Sequence, residues 1–596
     1  MKNLYLLLTL LVSSFAMQAQ SPLTLRIMHN NDGESKIVPE VVDGVKVGGA
    51  AEFKAVVDSL RATGMPNVML SSGDNFLAGV AFNASLNRAD GQPYYDAVVI
   101  DSIGYDAIAL GNHDFDFGPE VLARMISDIN VTMPTYLGAN LDFSAESSLQ
   151  TLFDAGRIAP RTTITVDGEQ VGVISLIYEE LATISSPRGV VALDNLQQIA
   201  QQQIDALEGE GVNKIIMISH LQSINNELEL LQNLTGVDVW IAGGGDELLT
   251  NDPSIALPGA EVFGEYPLRR ADANGDTVYI VTTPGEYRYV GNLVVTFDEN
   301  GVVTTVDSGS DLVPVFDIAP DSVLQATVTD SIIAYSAEID NNIIATAEPA
   351  LDGTRGGVRT RETNQGNLIA DAFTFLAERD RDAYGLDASV PIIGLQNGGG
   401  IRNDEIIPAG SNISEGKTFD MLPFSNTLVV LDHQFSPAEI DSVLEHAVAN
   451  VENVDGRFMQ VSGIEFVWDP SQPAGNRIIS AQLGDGTPIV DNYEVVAGAP
   501  SVYIATNSFT AGGGDGYEEF ADKTPIVLPF SYQRALFTYI VEGLNGQVTA
   551  AQYPEGGEGR IQRGVGLVGD SDKTFDLFYV SSYETGVFDE SAAEIL

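Results

Sequence analysis

Four segments of the chain each place a polar cluster where an apolar strand should end: His29-Asn30-Asn31-Asp32-Gly33-Glu34, Ser72-Gly73-Asp74-Asn75, Gly111-Asn112-His113-Asp114 and Ser219-His220. The apolar runs before them are Leu25 to Met28, Val68 to Leu70, Ala107 to Leu110 and Ile215 to Ile218. In open α/β sheets, ligands bind beyond the carboxyl ends of the strands. Carboxylates, an amide and an imidazole gathered at that edge are donors that a pair of divalent cations can use. The chain has 5 histidines in 596 residues, and three of them fall in these segments, which points to metal-dependent hydrolysis. Asp74 is suited to bridging, since each carboxylate oxygen can take one cation. Asp32 and Glu34, two residues apart on one loop, can grip a single ion, while Asn112 offers an amide oxygen and His220 an imidazole nitrogen. After the apolar run Val237 to Ile241 comes Gly243-Gly244-Gly245-Asp246-Glu247, from which Asp246 or Glu247 is expected to join the set. A lone Asp at a strand end is more often a helix cap; the ordered series is what carries the chemistry.

The elements that must position these groups alternate. Helices are predicted over Val47 to Arg61, Pro119 to Ile129, Asn195 to Glu208 and Asn226 to Leu234 from their apolar periodicity, with short apolar strands between them. Val166-Asp167-Gly168-Glu169 reads as a hairpin turn, and Thr282 to Phe297 as two strands around Thr283-Pro284-Gly285. The alternation predicts a layered α/β fold. A helix over Asp321 to Asp340 would join this unit to a second, which begins near residue 346 with a helix from Asn367 to Glu378. Length alone requires more than one core. The expected organisation is a leader over 1–19, a first domain over 20–315, a linker helix within 316–345, a second domain over 346–565, and a tail or start of a further domain over 566–596, with a strand-like Thr574 to Val580.

Composition narrows the class. Met1 to Ala19, with Lys2, an apolar run from Leu4 to Val12 and small residues up to Ala19, reads as a secretory signal peptide. Export to the periplasm or beyond is therefore expected, and no later stretch is long and apolar enough to span a membrane. The absence of cysteine excludes disulfides and thiolate ligands. A net charge of −54 repels nucleic-acid polymers, so a site for phosphate esters must bring its own positive charge. The sequence names no protein partner.

The second unit supplies that charge. It carries Arg359 to Leu368, then Gln396-Asn397-Gly398-Gly399-Gly400-Ile401-Arg402, Leu422-Pro423-Phe424-Ser425-Asn426, Gly456-Arg457-Phe458, and Asn507 to Gly516 with Phe509 and Asp515. Arginines clamp phosphate oxygens through fixed donor forks, two aromatic rings can sandwich a base, and a carboxylate such as Asp515 can accept from ribose hydroxyls. Singly, each motif is equally well read as core, turn or surface ion pair.

In order and spacing, the metal segments resemble the calcineurin-like metallophosphoesterases, and Gly111-Asn112-His113-Asp114-Phe115-Asp116 resembles the secreted 5′-nucleotidases in particular. The five motifs of the second unit match, in order, the nucleotide-binding domain of that family, so the resemblance covers roughly residues 23–563. It implies a β-sandwich flanked by helices followed by a separate α/β domain for a small nucleotide substrate. It also implies two divalent metals, with Asn112 as ligand and His113 with Asp116 as a catalytic dyad. Phe424 and Phe509 match the stacking pair, Arg359, Arg402 and Arg457 the phosphate- or substrate-contacting arginines, Asn397 and Asn426 base or phosphate contacts, and Asp515 the ribose ligand. The implied reaction is hydrolysis of nucleoside 5′-monophosphates by metal-activated water. Nucleotide-sugar or dinucleotide pyrophosphatase, cyclic-nucleotide phosphodiesterase and broad alkaline phosphatase are the alternatives within the chemistry.

Two departures stand out. Glu34 occupies the place of a histidine in the first metal loop, and Gly245 falls where the family's Gly-Gly-His loop has its histidine. One site would then be all oxygen, from Asp32, Glu34, Asp74 and Asp246 or Glu247, and the other would keep Asp74, Asn112 and His220. A secreted nucleotide-binding or adhesion protein with a degenerate metal centre is the non-enzymatic alternative. The presence of Asp32, Asp74, Asn112, His113 and His220 together argues against it. Oxygen donors favour manganese, magnesium or calcium over zinc. Metal-stripped protein is accordingly expected to regain phosphate release with manganese or magnesium, and restoration by zinc alone would refute this preference.

Overall fold

The computed structural model describes residues 21–564 apart from 78, 87, 90 and 425. The predicted leader and the tail over 566–596, with its strand-like Thr574 to Val580, lie outside the described residues.

The first unit is built on two sheets. Strand Leu23–Asn30 runs parallel to Asn67–Ser71, which is followed by Ala107–Ala109, Thr135–Leu137 and Ile158–Ala159, with Tyr289–Phe297 antiparallel on the other side. The second sheet sets Glu169–Ile177, Ile215–His220, Val239–Ile241 and Thr277–Val281 parallel to one another. Side chains on a strand alternate faces, and the alternation here separates two cores. Leu25, Ile27, Val68, Leu70, Ala107 and Ala109 pack between the sheets against Val173, Ile216, Ile218 and Trp240. Met28, Met69, Ile108 and Leu110 point the other way, onto helix residues Phe53, Val57, Ile100, Ile103, Leu122 and Ile126. The strands are apolar on both faces because both faces are covered.

Two local expectations are corrected. The first helix spans Ala50–Arg61 rather than starting at Val47, because Val45–Val47 pairs with Glu40–Val42 and Gly48 and Gly49 take φ of 70° and 90°. Thr282 to Phe297 is not a hairpin. Thr277–Val281 ends in the second sheet and Tyr289–Phe297 lies in the first, so residues 282–288 cross between sheets. That crossing is fixed by Asn31, whose Oδ1 accepts from Thr283 N at 2.9 Å and Thr283 Oγ1 at 2.8 Å.

The linker is one helical run from Ser322 to Asn341 with a π turn over Gln325–Thr329, and Leu324, Val328 and Ile332 anchor it to the first domain's outer core. The second unit centres on a mixed five-stranded sheet in the order Met459–Ser462, Ile392–Asn397, Tyr503–Asn507, Thr427–Leu431, Pro525–Ser531. Helix Asn364–Arg379 buries Leu368, Ile369, Phe373 and Leu376 on one face of that sheet. Ile392–Asn397 and Tyr503–Asn507 are parallel, and their antiparallel neighbours begin at the edge where these two end. Asn397, Arg402, Phe424, Asn426, Arg457, Phe509 and Asp515 are thereby delivered to one sheet edge. Among the described residues no helix is long and apolar enough to cross a membrane.

Candidate active site

Backbone hydrogen bonds first bring the metal loops together. Asp32 N donates to Gly73 O at 3.0 Å, Glu34 N to Asp74 O at 2.9 Å, and Ser35 N to Asn75 O at 3.3 Å. This stitching forces Asp32, Glu34 and Asp74 into left-handed backbone with φ of 50°, 50° and 51°, a conformation uncommon for residues with side chains. Close approach needs glycine as well: a Cβ at Gly111 would lie 2.1 Å from Asp74 Oδ1.

Donor atoms of Asp32, Asp74 and His220 lie within 4.8 Å of one another. His220 Nε2 is 2.9 Å from Asp74 Oδ2, 3.9 Å from Asp32 Oδ1 and 3.1 Å from Asn112 Oδ1, while its Nδ1 meets Ser72 O at 2.7 Å. Both ring nitrogens therefore face oxygen acceptors. Burial alone would push this imidazole down, but Asp74 and Asp32 outweigh it and hold the ring up to about 10. Burial raises Asp32 to about 6 and Glu34 to about 7, with His220 and His113 respectively opposing the rise and the neighbouring carboxylates adding to it. Asp74 is held below its ordinary value: His220 and His113 overcome its burial. A cation fits this donor set, because it would take the place of the shared proton while the Nδ1–H to Ser72 O bond keeps Nε2 aimed inward.

The dyad is assembled next to it. His113 N donates to Asp74 Oδ1 at 2.8 Å, and His113 Nδ1 lies 2.6 Å from Asp116 Oδ2. Ser185 Oγ donates to the other oxygen of Asp116 at 2.8 Å. Burial lowers His113, but the charges of Asp116 and Asp74 dominate and hold it up to about 9, so the ring is cationic at neutral pH.

Not every expected ligand converges. Asp246 is exposed. Glu247 Oε1 accepts from Ile224 N at 3.1 Å, so it serves the first turn of helix Ile224–Leu231, whose free N–H groups attract a carboxylate. Neither belongs to the group of donors around Asp32, Asp74 and His220; Glu34 also lies outside that group, although its carboxylate feels the charges of His113, Asp32 and Asp74. His29 is also away from the site: it is buried against Tyr266, 2.8 Å from the hydroxyl, and burial lowers it to about 3.

Facing the dyad is a cleft of about 500 Å³ lined by both domains. From the first come His113, Asp116, Glu180, Ile184 and Ser186. From the second come Arg359, Asn397, Arg402, Phe424, Asn426, Arg457, Phe509 and Asp515, joined by Arg355 and Asp455. All eight expected substrate residues thus share one cavity. Asn397 Nδ2 donates to Asp515 Oδ2 at 2.6 Å, and burial raises Asp515 to about 6. Burial and the like charges of Arg355 and Arg402 push Arg359 down to about 10, and its Nε is buried without a partner. Clustered, incompletely paired guanidinium groups are what an incoming anion would relieve. Arg402 stacks over Phe424 at 5.6 Å.

Sequence reasoning missed Asn31, Ser185, Gln222 and Arg355. Asn31 stood visible in the first polar cluster, and its Nδ2 donates to Asp32 Oδ2 at 2.6 Å; Gln222 lies two residues beyond His220. Ser185 and Arg355 carry no local signal.

Residues 343–522 match the 5′-nucleotidase C-terminal domain family. Snake venom 5′-nucleotidase of Naja atra is 31% identical over 510 residues, spanning 83% of this chain and 91% of that protein. This chain belongs to the 5′-nucleotidase family. The trifunctional nucleotide phosphoesterase protein YfkN of Bacillus subtilis (strain 168) is 31% identical over 84% of this chain, which spans 32% of that longer protein. The crystal structure of a 5′-nucleotidase precursor from Thermus thermophilus superposes with a TM-score of 0.68 at 32% identity, covering 91% of this chain and 99% of that one.

A divalent cation held by Asp32 and His220, with Glu34 as the expected further ligand, would need these groups unprotonated; neighbouring carboxylates hold His220 up to about 10, and burial lifts Glu34 to about 7 and Asp32 to about 6. Binding at pH 7 is expected to release about one to two protons, most from His220, and affinity is expected to fall as pH drops below about 10, more steeply below 7 and then 6. Calorimetry of manganese binding in buffers of different ionisation enthalpy measures this, and a proton count of zero would contradict it.

Proposed function

We propose that this protein is an exported 5′-nucleotidase that hydrolyses nucleoside 5′-monophosphates to nucleoside and phosphate with two divalent cations. The observation that carries this reading is the shared cleft, in which the His113–Asp116 pair of one domain faces the arginines, phenylalanines and Asp515 of the other. Family membership supplies the reaction class, and the predicted leader over 1–19 supports export.

In this reading Asp32, Glu34 and Asp74 hold one cation, and Asp74, Asn112 and His220 hold the other. When bound, such cations activate water and offset charge on the phosphoryl oxygens. The remaining work falls to side chains. Arg359, Arg402 and Arg457, with Arg355 beside them, draw the phosphate ester into the cleft and offset its charge. Phe424 and Phe509 flank the base, Asn397 and Asn426 contact base or phosphate, and Asp515 accepts from the ribose hydroxyls. Asp116, anchored by Ser185, holds Nδ1 of His113 and leaves Nε2–H free to donate to a phosphoryl oxygen or to the departing ribose oxygen. Asp74, Asp32 and Glu34 concentrate negative charge at the floor of the site. The oxygen-rich set of the first cation favours manganese, magnesium or calcium over zinc.

The deciding experiment is phosphate release from a panel of nucleotides by the metal-loaded protein. Rapid release from nucleoside 5′-monophosphates is expected; nucleotide binding without release would sink the assignment. Replacing His113 by Ala should lower kcat roughly 10²- to 10⁴-fold, and near-normal turnover would remove it from the mechanism. The double change Phe424→Ala and Phe509→Ala should raise KM for AMP at least about tenfold, given base stacking of about 1–3 kcal/mol per ring, while sparing a small aryl phosphate. Equal losses on both substrates would reassign the phenylalanines to packing.

A further inference from the structure

The second cation site is one donor short: Gly245 has no side chain to offer, Asp246 is exposed and Glu247 is committed to a helix start. Gln222 is the residue that reaches it. Its Nε2 donates to Asn112 Oδ1 at 2.6 Å, the same oxygen that His220 Nε2 approaches at 3.1 Å, while His220 Nε2 also meets Asp74 Oδ2 at 2.9 Å. Asp74, His220, Asn112 and Gln222 thus form one connected chain of polar groups.

The backbone argues for a purpose. Gln222 has φ of 71°, a left-handed conformation that glycine adopts freely and a side-chain-bearing residue adopts at a cost. What the conformation achieves is to send the carboxamide back over Asn112 instead of out to solvent. The glycine loop accommodates it: a Cβ at Gly244 would lie 2.8 Å from Gln222 N and 3.0 Å from His220 Nε2. Gly244 therefore lies close against His220 and Gln222, and a strained residue whose side chain enters a functional site is the pattern in which strain serves function.

The geometry points to Gln222 as a further residue of the second cation site, its carboxamide turning over so that Oε1, rather than the Nε2 that now donates to Asn112 Oδ1, completes the donor set of Asp74, Asn112 and His220 in place of a side chain at position 245. This rests on the two-cation reading above. The site so formed has one carboxylate and three neutral donors, whereas the first has three carboxylates. Since affinity for hard cations rises with ligand charge, the two sites should bind with distinct affinities, the one containing Gln222 being the weaker.

The test is calorimetric titration of manganese into the metal-free full-length protein, compared with Gln222→Ala, Gln222→Gly and Gln222→Gly combined with Gly245→His. The wild type should show two classes of site. Gln222→Ala and Gln222→Gly should weaken only the weaker class, by about 10- to 100-fold, and Gly245→His should restore it. The metal-free Gln222→Gly protein should melt at the same temperature as wild type or higher, because glycine relieves the backbone. Unchanged manganese binding in Gln222→Ala, or equal weakening of both classes, would overturn the proposal, as would a lower melting temperature with intact binding, which would make Gln222 structural. Phosphate release by the wild type tests the nucleotidase reading separately. Release with unaltered manganese binding in the variants defeats this inference alone, and two-site binding that Gln222 controls without release defeats only the reaction.

Discussion

Everything in the catalytic half depends on bringing like charges together out of water. Asp32, Glu34 and Asp74 converge where burial and mutual repulsion both oppose ionisation, and the fold compels them by hydrogen-bonding loop 32–35 to loop 73–75 along the backbone. Three residues in left-handed backbone, at about 1–3 kcal/mol each, are the local cost of that convergence. The parallel strands beneath are buried on both faces, so the loops are built on close-packed supports. Without metal, the proton on His220 and the imidazolium of His113 offset the repulsion. A cation is a stronger remedy for the same problem, which is why stability and metal affinity in this site are two expressions of one electrostatic demand.

The second domain solves the opposite problem with the same architecture. Here positive charge is crowded, with Arg355, Arg359, Arg402 and Arg457 around one cavity, and the supporting sheet again delivers its residues from one edge. In a chain carrying −54 overall, this cavity sets four arginines among Asp116, Glu180, Asp455 and Asp515, a local concentration of positive groups. An anionic ester meets an unfavourable field at distance, screened beyond roughly 8 Å at physiological salt, and a favourable one only within reach of the guanidinium forks. Discrimination is thereby moved from approach to docking.

Much of this was legible in the sequence, and the reasons are specific. Apolar runs ending in Asp, Asn or His marked the sheet edge because a doubly covered parallel strand has a distinctive composition. The eight residues that line one cavity were picked out because their motifs occur as a set that resembles one family. Illegible features were those decided by a single dihedral or by a neighbour remote in sequence. Glu247 follows a strand end as Asp32 and Asp74 do, yet the start of helix Ile224–Leu231 captures it. Thr282 to Phe297 has the alternation of a hairpin, yet Asn31 holds the segment across two sheets. Gln222 gave no signal, since nothing in a Ser-His-Leu-Gln string announces that the glutamine backbone will turn left-handed.

The cavity has walls on two separately cored domains tied by one helix. His113 and Asp116 on one wall and Arg359, Arg402, Phe424 and Phe509 on the other therefore belong to different folding units, each with its own hydrophobic interior. Side chains such as Phe424 and Phe509 can diversify on one unit without disturbing the strand ends that carry Asp32, Asp74 and His220 on the other. Such a division lets a lineage renegotiate what it eats while leaving untouched how it digests.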